Sequence, residues 1–169
     1  MKIRWRLIKA IIILPGTVLV FIPLIILYVA NIAGFSFKIA NPTQIIFYLG
    51  VLAVFKGIIL SIWTSALFVK FGHGTPAPWD PPKKLVVLGP YRYVRNPMIS
   101  GVTLILFAEA VLLQSWPIAV WMLIFFLGNI IYLRYFEEKG LEKRFGDDYK
   151  TYKSNVPMWI PRLTPWLKS

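Results

Sequence analysis

The chain has 169 residues, 57% hydrophobic and 15% charged, with 19 Lys and Arg against 7 Asp and Glu for a formal net charge of +12. Soluble domains run at about 45–50% apolar and about 25% charged residues, so an ordinary cytosolic enzyme and a disordered tail are both excluded. No cysteine is present, which removes disulfides, thiolate metal sites and cysteine nucleophiles.

A membrane-crossing helix needs about 20 mostly apolar residues. The first candidate covers 7–30, interrupted by Lys9, Pro15, Gly16 and Pro23. Its apolar stretch exceeds the roughly 7–15 residues of a signal-peptide core, so it reads as a retained span. The second covers 44–69 and encloses Lys56. A long loop over 70–97 follows, and its last 27 residues, from Phe71, hold six prolines and three glycines. That composition favours a shaped, extended path over a helix. Within it the short β-branched stretch Lys83 to Leu88 suits an extended segment running along a ligand. The third span covers 98–113, is short, and carries Glu109. The fourth covers 116–136 and contains Arg134 near its end. Only Gln114-Ser115 separates the two, followed by Trp116-Pro117, so a tight helical hairpin is expected.

From 137 to 169 the chain is a polar tail with helical character. Leu141, Phe145, Tyr149 and Tyr152 recur at helical spacing and give one apolar stripe with charges opposite. Such a helix either lies on the membrane surface or caps the bundle. Gly146 should bend it, and Pro157 and Pro161 should stop it. The expected fold class is therefore an all-α integral membrane protein, a single domain of about four spans with an amphipathic C-terminal helix.

Seventeen of the cations fall on one side of these spans, Lys38 alone falls on the other, and Lys56 lies within a span. The positive-inside rule then puts both termini and the central loop in the cytoplasm. Cations that flank apolar runs serve lipid head groups and topology, so no nucleic-acid partner is expected. Trp5, Tyr28, Trp79, Trp116, Tyr132 and Tyr135 lie near span ends, where interfacial aromatics belong. Oligomeric state is not readable.

The candidate chemistry clusters in the central loop and the tail. Glu137 and Glu138 leave the last span side by side. They are either neutralised by Arg92, Arg95 or Arg134, or one of them binds a polar ligand held under the loop. Lys56 and Glu109 are intramembrane charges: either they pair between spans two and three, or Glu109, near the far end of its short span, reaches water. His73 is the only histidine and cannot build a metal site alone, so no metal is expected. No nucleophile elbow, P-loop or GxGxxG is present.

The stretch Gly89-Pro90-Tyr91-Arg92-Tyr93-Val94-Arg95-Asn96-Pro97-Met98 precedes the helical hairpin. After it come Glu137-Glu138, Leu141, Phe145-Gly146, Tyr149, Tyr152 and Val156-Pro157-x-x-Ile160-Pro161. Together these resemble the isoprenylcysteine carboxyl methyltransferase and phospholipid methyltransferase superfamily of integral membrane enzymes. The first two spans match only in being apolar. The resemblance implies S-adenosylmethionine-dependent methyl transfer to a lipid-like or amphiphilic acceptor, a carboxylate or an amine, at the cytoplasmic membrane face. It also implies that Lys83, Lys84, Leu85 and Val86 line the cofactor through main-chain groups, with Tyr91 packed against it. Arg95, Asn96, Pro97, Met98 and Ile99 would hold its polar end, and Glu137 would bind it from the other side. Arg134 falls close to where the family places an arginine that meets the acceptor. An amine acceptor would have to lose a proton, for which Glu138 or bulk water is the candidate.

Two departures stand out. The family corner reads Arg-His-Pro-x-Tyr, whereas Asn96 replaces the histidine and Ile99 the tyrosine. Asn can still donate and accept hydrogen bonds, but Ile99 supplies no hydroxyl. Alternatives are an NADPH-dependent membrane reductase of the sterol type, whose cofactor phosphates would suit Lys83, Lys84, Arg92 and Arg95, and a non-enzymatic membrane protein that retains the fold.

Overall fold

The computed structural model describes residues 5, 9, 12–35, 37–75, 77 and 79–167. Lys2, Arg4, Arg6 and Lys168, and the opening residues of the first expected span, lie outside the described residues. Among those described, every regular element is helical: α1 (Ile12–Ile32), α2 (Ile45–Gly72), α3 (Pro97–Leu112), α4 (Trp116–Phe145) and α5 (Asp147–Asn155). A 3-10 turn (Gly89–Arg92) lies in the loop between α2 and α3. Three of the helices are long and apolar enough to cross a membrane, and α3 is a shorter apolar helix. Their outer faces leave large side chains such as Ile25, Phe55, Ile62, Ile124 and Leu127 exposed. Apolar surface on that scale marks a lipid-facing belt, and the protein is an integral membrane all-α protein. All six expected interfacial aromatics, Trp5, Tyr28, Trp79, Trp116, Tyr132 and Tyr135, are exposed.

Pro23 shapes α1. A proline inside a helix donates no hydrogen bond and crowds the carbonyl four residues earlier, and the turn just before it, Thr17–Phe21, is a π-helix. There the Ile22 N–H bonds the Thr17 carbonyl, which leaves the Val18 carbonyl without its usual helical donor. The Trp121 indole N–H from α4 donates to that carbonyl at 3.1 Å. In lipid an unmatched carbonyl costs several kcal/mol, so this bond closes the helix and locks α1 to α4 at once.

Small residues on one face of α2 let α3 approach closely. Gly50, Ala53, Gly57 and Thr64 are buried there. A Cβ added at Gly57 would sit 2.6 Å from Ile105 Cγ1 and 2.8 Å from the Gly101 carbonyl oxygen. Backbone contact of this kind is how helices associate in a solvent that offers no hydrophobic drive. Lys56, next to Gly57, is exposed on the other side. The expected pair between spans two and three therefore does not form: among the described residues no ion pair joins Lys56 to Glu109, because the packed face of α2 is its glycine face.

The α3–α4 hairpin turns through Gln114, at φ 45°, and Ser115. Helix α4 runs past Phe136 without interruption to Phe145, with a π-helical turn at Leu133–Glu137. It stops at Gly146, whose φ of 56° and ψ of −131° suit a residue without a Cβ. Helix α5 then folds back, and Tyr149, Tyr152 and Val156 bury against Leu85, Val87, Leu141 and Phe145. The apolar stripe of the tail thus caps the bundle. His73 ends α2 in the left-handed conformation, φ 54°, a structural position.

Gly57→Val should lower thermal stability by about 1–3 kcal/mol through overpacking. Gly128→Ala, whose Cβ meets nothing within 4 Å, should leave it unchanged or raised. Thermal unfolding in detergent distinguishes the two, and equal behaviour would contradict the close α2–α3 approach.

Candidate functional site

The loop between α2 and α3, the start of α3, the end of α4 and α5 enclose a cavity of about 340 Å³. Local backbone contacts shape the loop. The Lys83 N–H donates to the Gly72 carbonyl at 2.7 Å, and Thr75 N–H to the Asp80 carbonyl at 2.8 Å. Gly74 lies so close to Pro81 and Pro82 that any side chain there would collide with their backbone. The loop is folded back on the end of α2, and its next residues, Lys84, Leu85 and Val86, form one wall of the cavity.

Tyr91, Arg95, Asn96, Met98 and Ile99 form the floor. Tyr91 is buried and stacks on Phe68 of α2, with centroids 5.1 Å apart and planes 13° apart. Burial holds its hydroxyl well above the usual tyrosine range, with the nearby Tyr152 and Glu137 adding to the effect. It is therefore a neutral phenol at any physiological pH and not a base. Tyr152 donates to the Tyr91 carbonyl at 2.7 Å, which fixes this corner to α5. Asn96 precedes α3 but does not cap it; its Nδ2 donates to the Met158 carbonyl at 3.4 Å.

The opposite wall is α4, through Leu133, Phe136, Glu137, Gly140, Leu141 and Arg144. Glu137 is the only acid among the lining residues. Arg144, two helical turns further along the same face, also lines the cavity and donates from Nη1 to the Pro82 carbonyl at 3.2 Å. Tyr132 and Phe136, both exposed and stacked at 6.0 Å, form the rim where α4 meets the membrane.

Glu138 faces the other way. Its side chain is 6% exposed, and its two oxygens lie 2.8 Å from Arg95 Nη2 and 2.7 Å from Lys153 Nζ. Lys153 also pairs with Glu142 at 2.9 Å. The two readings of the acidic pair are thus divided between neighbours: Glu138 is neutralised by Arg95, and Glu137 faces the cavity. Hydrogen bonds from Lys153 to Glu138 and Glu142 raise the Lys153 ammonium above the ordinary lysine value. The sign follows: this contribution to stability is fully present below the unfolded lysine value and is lost only as pH rises through the elevated folded one.

Of the residues expected at the site, the cavity brings together Lys84, Leu85, Val86, Tyr91, Arg95, Asn96, Met98, Ile99 and Glu137. It does not include Lys83, which lines a shallow recess with Trp79 and Asp80, nor the buried Pro97. Arg134 is exposed on α4 off the cavity wall, and Glu138 is committed to its cations. The sequence reading did not single out Phe68, Thr75 or Arg144, all of which line the cavity. For Arg144 the signal was available: it stands seven residues after Glu137, on the same helical face. Among the described residues no group of acids and histidine could hold a metal ion.

A family model described as phospholipid methyltransferase matches residues 45–148. No curated protein and no solved structure matches the chain.

Replacing Glu138 by Gln should destabilise the protein by about 3–5 kcal/mol, because Arg95 and Lys153 would be left around a neutral group. The double replacement Arg95→Met with Glu138→Leu should recover part of that loss. Thermal melts of the three proteins in one detergent test it, and an unchanged melting point for Glu138→Gln would rule out a structural ion pair.

Proposed function

The chain belongs to the phospholipid methyltransferase family, and we propose that it transfers a methyl group from S-adenosylmethionine to a lipid-like acceptor at the cytoplasmic membrane face. The observation that carries this reading is a mostly apolar cavity with one acid, Glu137, among its described lining residues, opening over the aromatic rim of a membrane-crossing helix. The volume falls within the range of about 300–1,000 Å³ typical of small-molecule sites. The donor set suits the cofactor. Glu137 offers a carboxylate to a cationic ligand, the Lys84–Val86 stretch offers main-chain groups, and Tyr91 offers a buried aromatic surface. Asn96, in place of the family histidine, has its Nδ2 bonded to the Met158 carbonyl and offers its amide oxygen as an acceptor. Placement on the cytoplasmic side follows from the distribution of cations.

When bound, S-adenosylmethionine supplies a methyl group on a sulfonium, already activated towards in-line displacement. The protein then has chiefly to align and to exclude water, which can be worth about 7–11 kcal/mol of the barrier. Loop and α4 walls close around the site, and Glu137 orients the positive end of the donor. Tyr132 and Phe136 guide an acyl or prenyl tail between lipid and cavity, so that its head group enters sideways. A carboxylate acceptor arrives as a nucleophile. An amine acceptor loses its proton to water at the open mouth, since Tyr91 stays neutral and Glu138 is held by Arg95 and Lys153.

Equilibrium binding of S-adenosylhomocysteine to the purified protein tests the site. Glu137→Gln and Asn96→Ala should each weaken binding about tenfold or more, the scale of a lost charged or buried hydrogen bond, with the melting point of Glu137→Gln preserved and that of Asn96→Ala slightly lowered by loss of the Met158 bond. Undiminished binding in both variants overturns the assignment, as does tight NADPH binding with none of S-adenosylhomocysteine. Labelled S-adenosylmethionine offered with a total lipid extract then identifies the acceptor by what acquires label.

A further inference from the structure

After α5 the chain from Pro157 to Leu167 carries one charge, Arg162, in eleven residues. Trp159 and Trp166 pack inward, against Phe126 and Tyr152, but Ile160 is exposed at 81%, Leu163 at 99% and Leu167 at 65%. Yet the segment is not loose. Arg95 N–H donates to the Pro157 carbonyl at 2.9 Å, Arg162 N–H to the Tyr93 carbonyl at 3.0 Å, and Trp166 N–H to the Arg92 carbonyl at 2.9 Å. The Arg162 guanidinium bonds the Asn155 carbonyl. A backbone pinned at so many points cannot turn these side chains away from whatever surrounds them.

The depth of the segment identifies those surroundings. Trp159 packs edge-on against Phe126 of α4, with centroids 4.9 Å apart. Phe126 lies eight residues before Arg134, the first charged residue on α4. At 1.5 Å per residue that is about 12 Å from Arg134 along the helix, on its apolar side. A helical side chain also leans towards its own N-terminus, which takes the Phe126 ring deeper still. Beside it, Leu123, Ile124 and Leu127 form the exposed apolar belt of α4. The indole of Trp159 is therefore level with that belt; Ile160 follows it directly, and Leu163 comes four positions on.

We propose that residues 157–167 form a strap embedded in the membrane leaflet on the cavity side, with Ile160, Leu163 and Leu167 among phospholipid acyl chains. Its backbone bonds run to Arg92, Tyr93 and Arg95, the stretch that delivers Tyr91, Arg95 and Asn96 to the cavity floor. The bilayer thus braces the floor of the site from outside, whatever reaction the cavity performs.

The chain has no cysteine, so single replacements take one label cleanly. Leu163→Cys and Ile160→Cys carry a bimane label in nanodiscs, with Leu127→Cys as the hydrocarbon reference and the exposed Thr151→Cys on α5 as the water reference. Phospholipids brominated on the acyl chains should quench the label at 163 and 160 as they do at 127, while aqueous iodide quenches only at 151. Iodide quenching at 163 equal to that at 151 overturns the proposal by placing the strap in water. Protection from both agents also overturns it, since another protein surface would then cover the strap. Both readouts are independent of cofactor binding, so a failed methyltransferase assignment leaves this result interpretable.

Discussion

The ion cluster around Glu138 is the joint on which the site depends. One buried carboxylate holds Arg95 from the stretch before α3 and Lys153 from α5, while sitting on α4 itself. The three segments that wall the cavity meet at that point. A buried pair gains little net energy over an apolar substitute, but breaking it leaves uncompensated charge. Its effect is therefore to fix geometry: with Glu138 in place, the cavity floor, its α4 wall and its α5 backing have one mutual arrangement.

Adjacent acids with opposite tasks follow from helix geometry. Successive residues are rotated by about 100°, so Glu137 and Glu138 cannot both face one side. At the π turn Leu133–Glu137 the Glu138 N–H reaches back to the Leu133 carbonyl, one residue further than in an α-helix. That insertion sets which acid looks into the cavity. The same turn type in α1 exposes the Val18 carbonyl for Trp121. In both helices a local departure from the α pattern redirects one polar group, and in both a partner on another helix makes use of it.

How much of this could be read in the sequence depended on the range of each interaction. Apolar run lengths gave the helical class, because a lipid solvent imposes length and backbone closure on each span separately. Pro157 and Gly146 marked their breaks for equally local reasons. The pairing of Lys56 with Glu109 did not form, since facing on α2 is decided by its small residues Gly50, Ala53 and Gly57 and not by its single charge. The choice between a surface helix and a cap was also hidden, because the partners of Tyr149 and Tyr152 are Leu85 and Val87, more than sixty positions away in the chain. The family motifs placed the loop and the acidic helix end together without showing which acid was free.

The two departures from the family corner are consistent with this geometry. Asn96 spends its amide donor on the Met158 carbonyl, which ties the corner to the C-terminal segment, and its own carbonyl oxygen remains available as an acceptor. An imidazole there would be an ionisable group beside Arg95, whose charge Glu138 already balances. Ile99 adds apolar surface to the floor next to Met98 and opposite Leu133 and Phe136 on α4. The loss of a hydroxyl at that position makes this part of the floor more apolar, while Glu137 remains the acid on the facing wall.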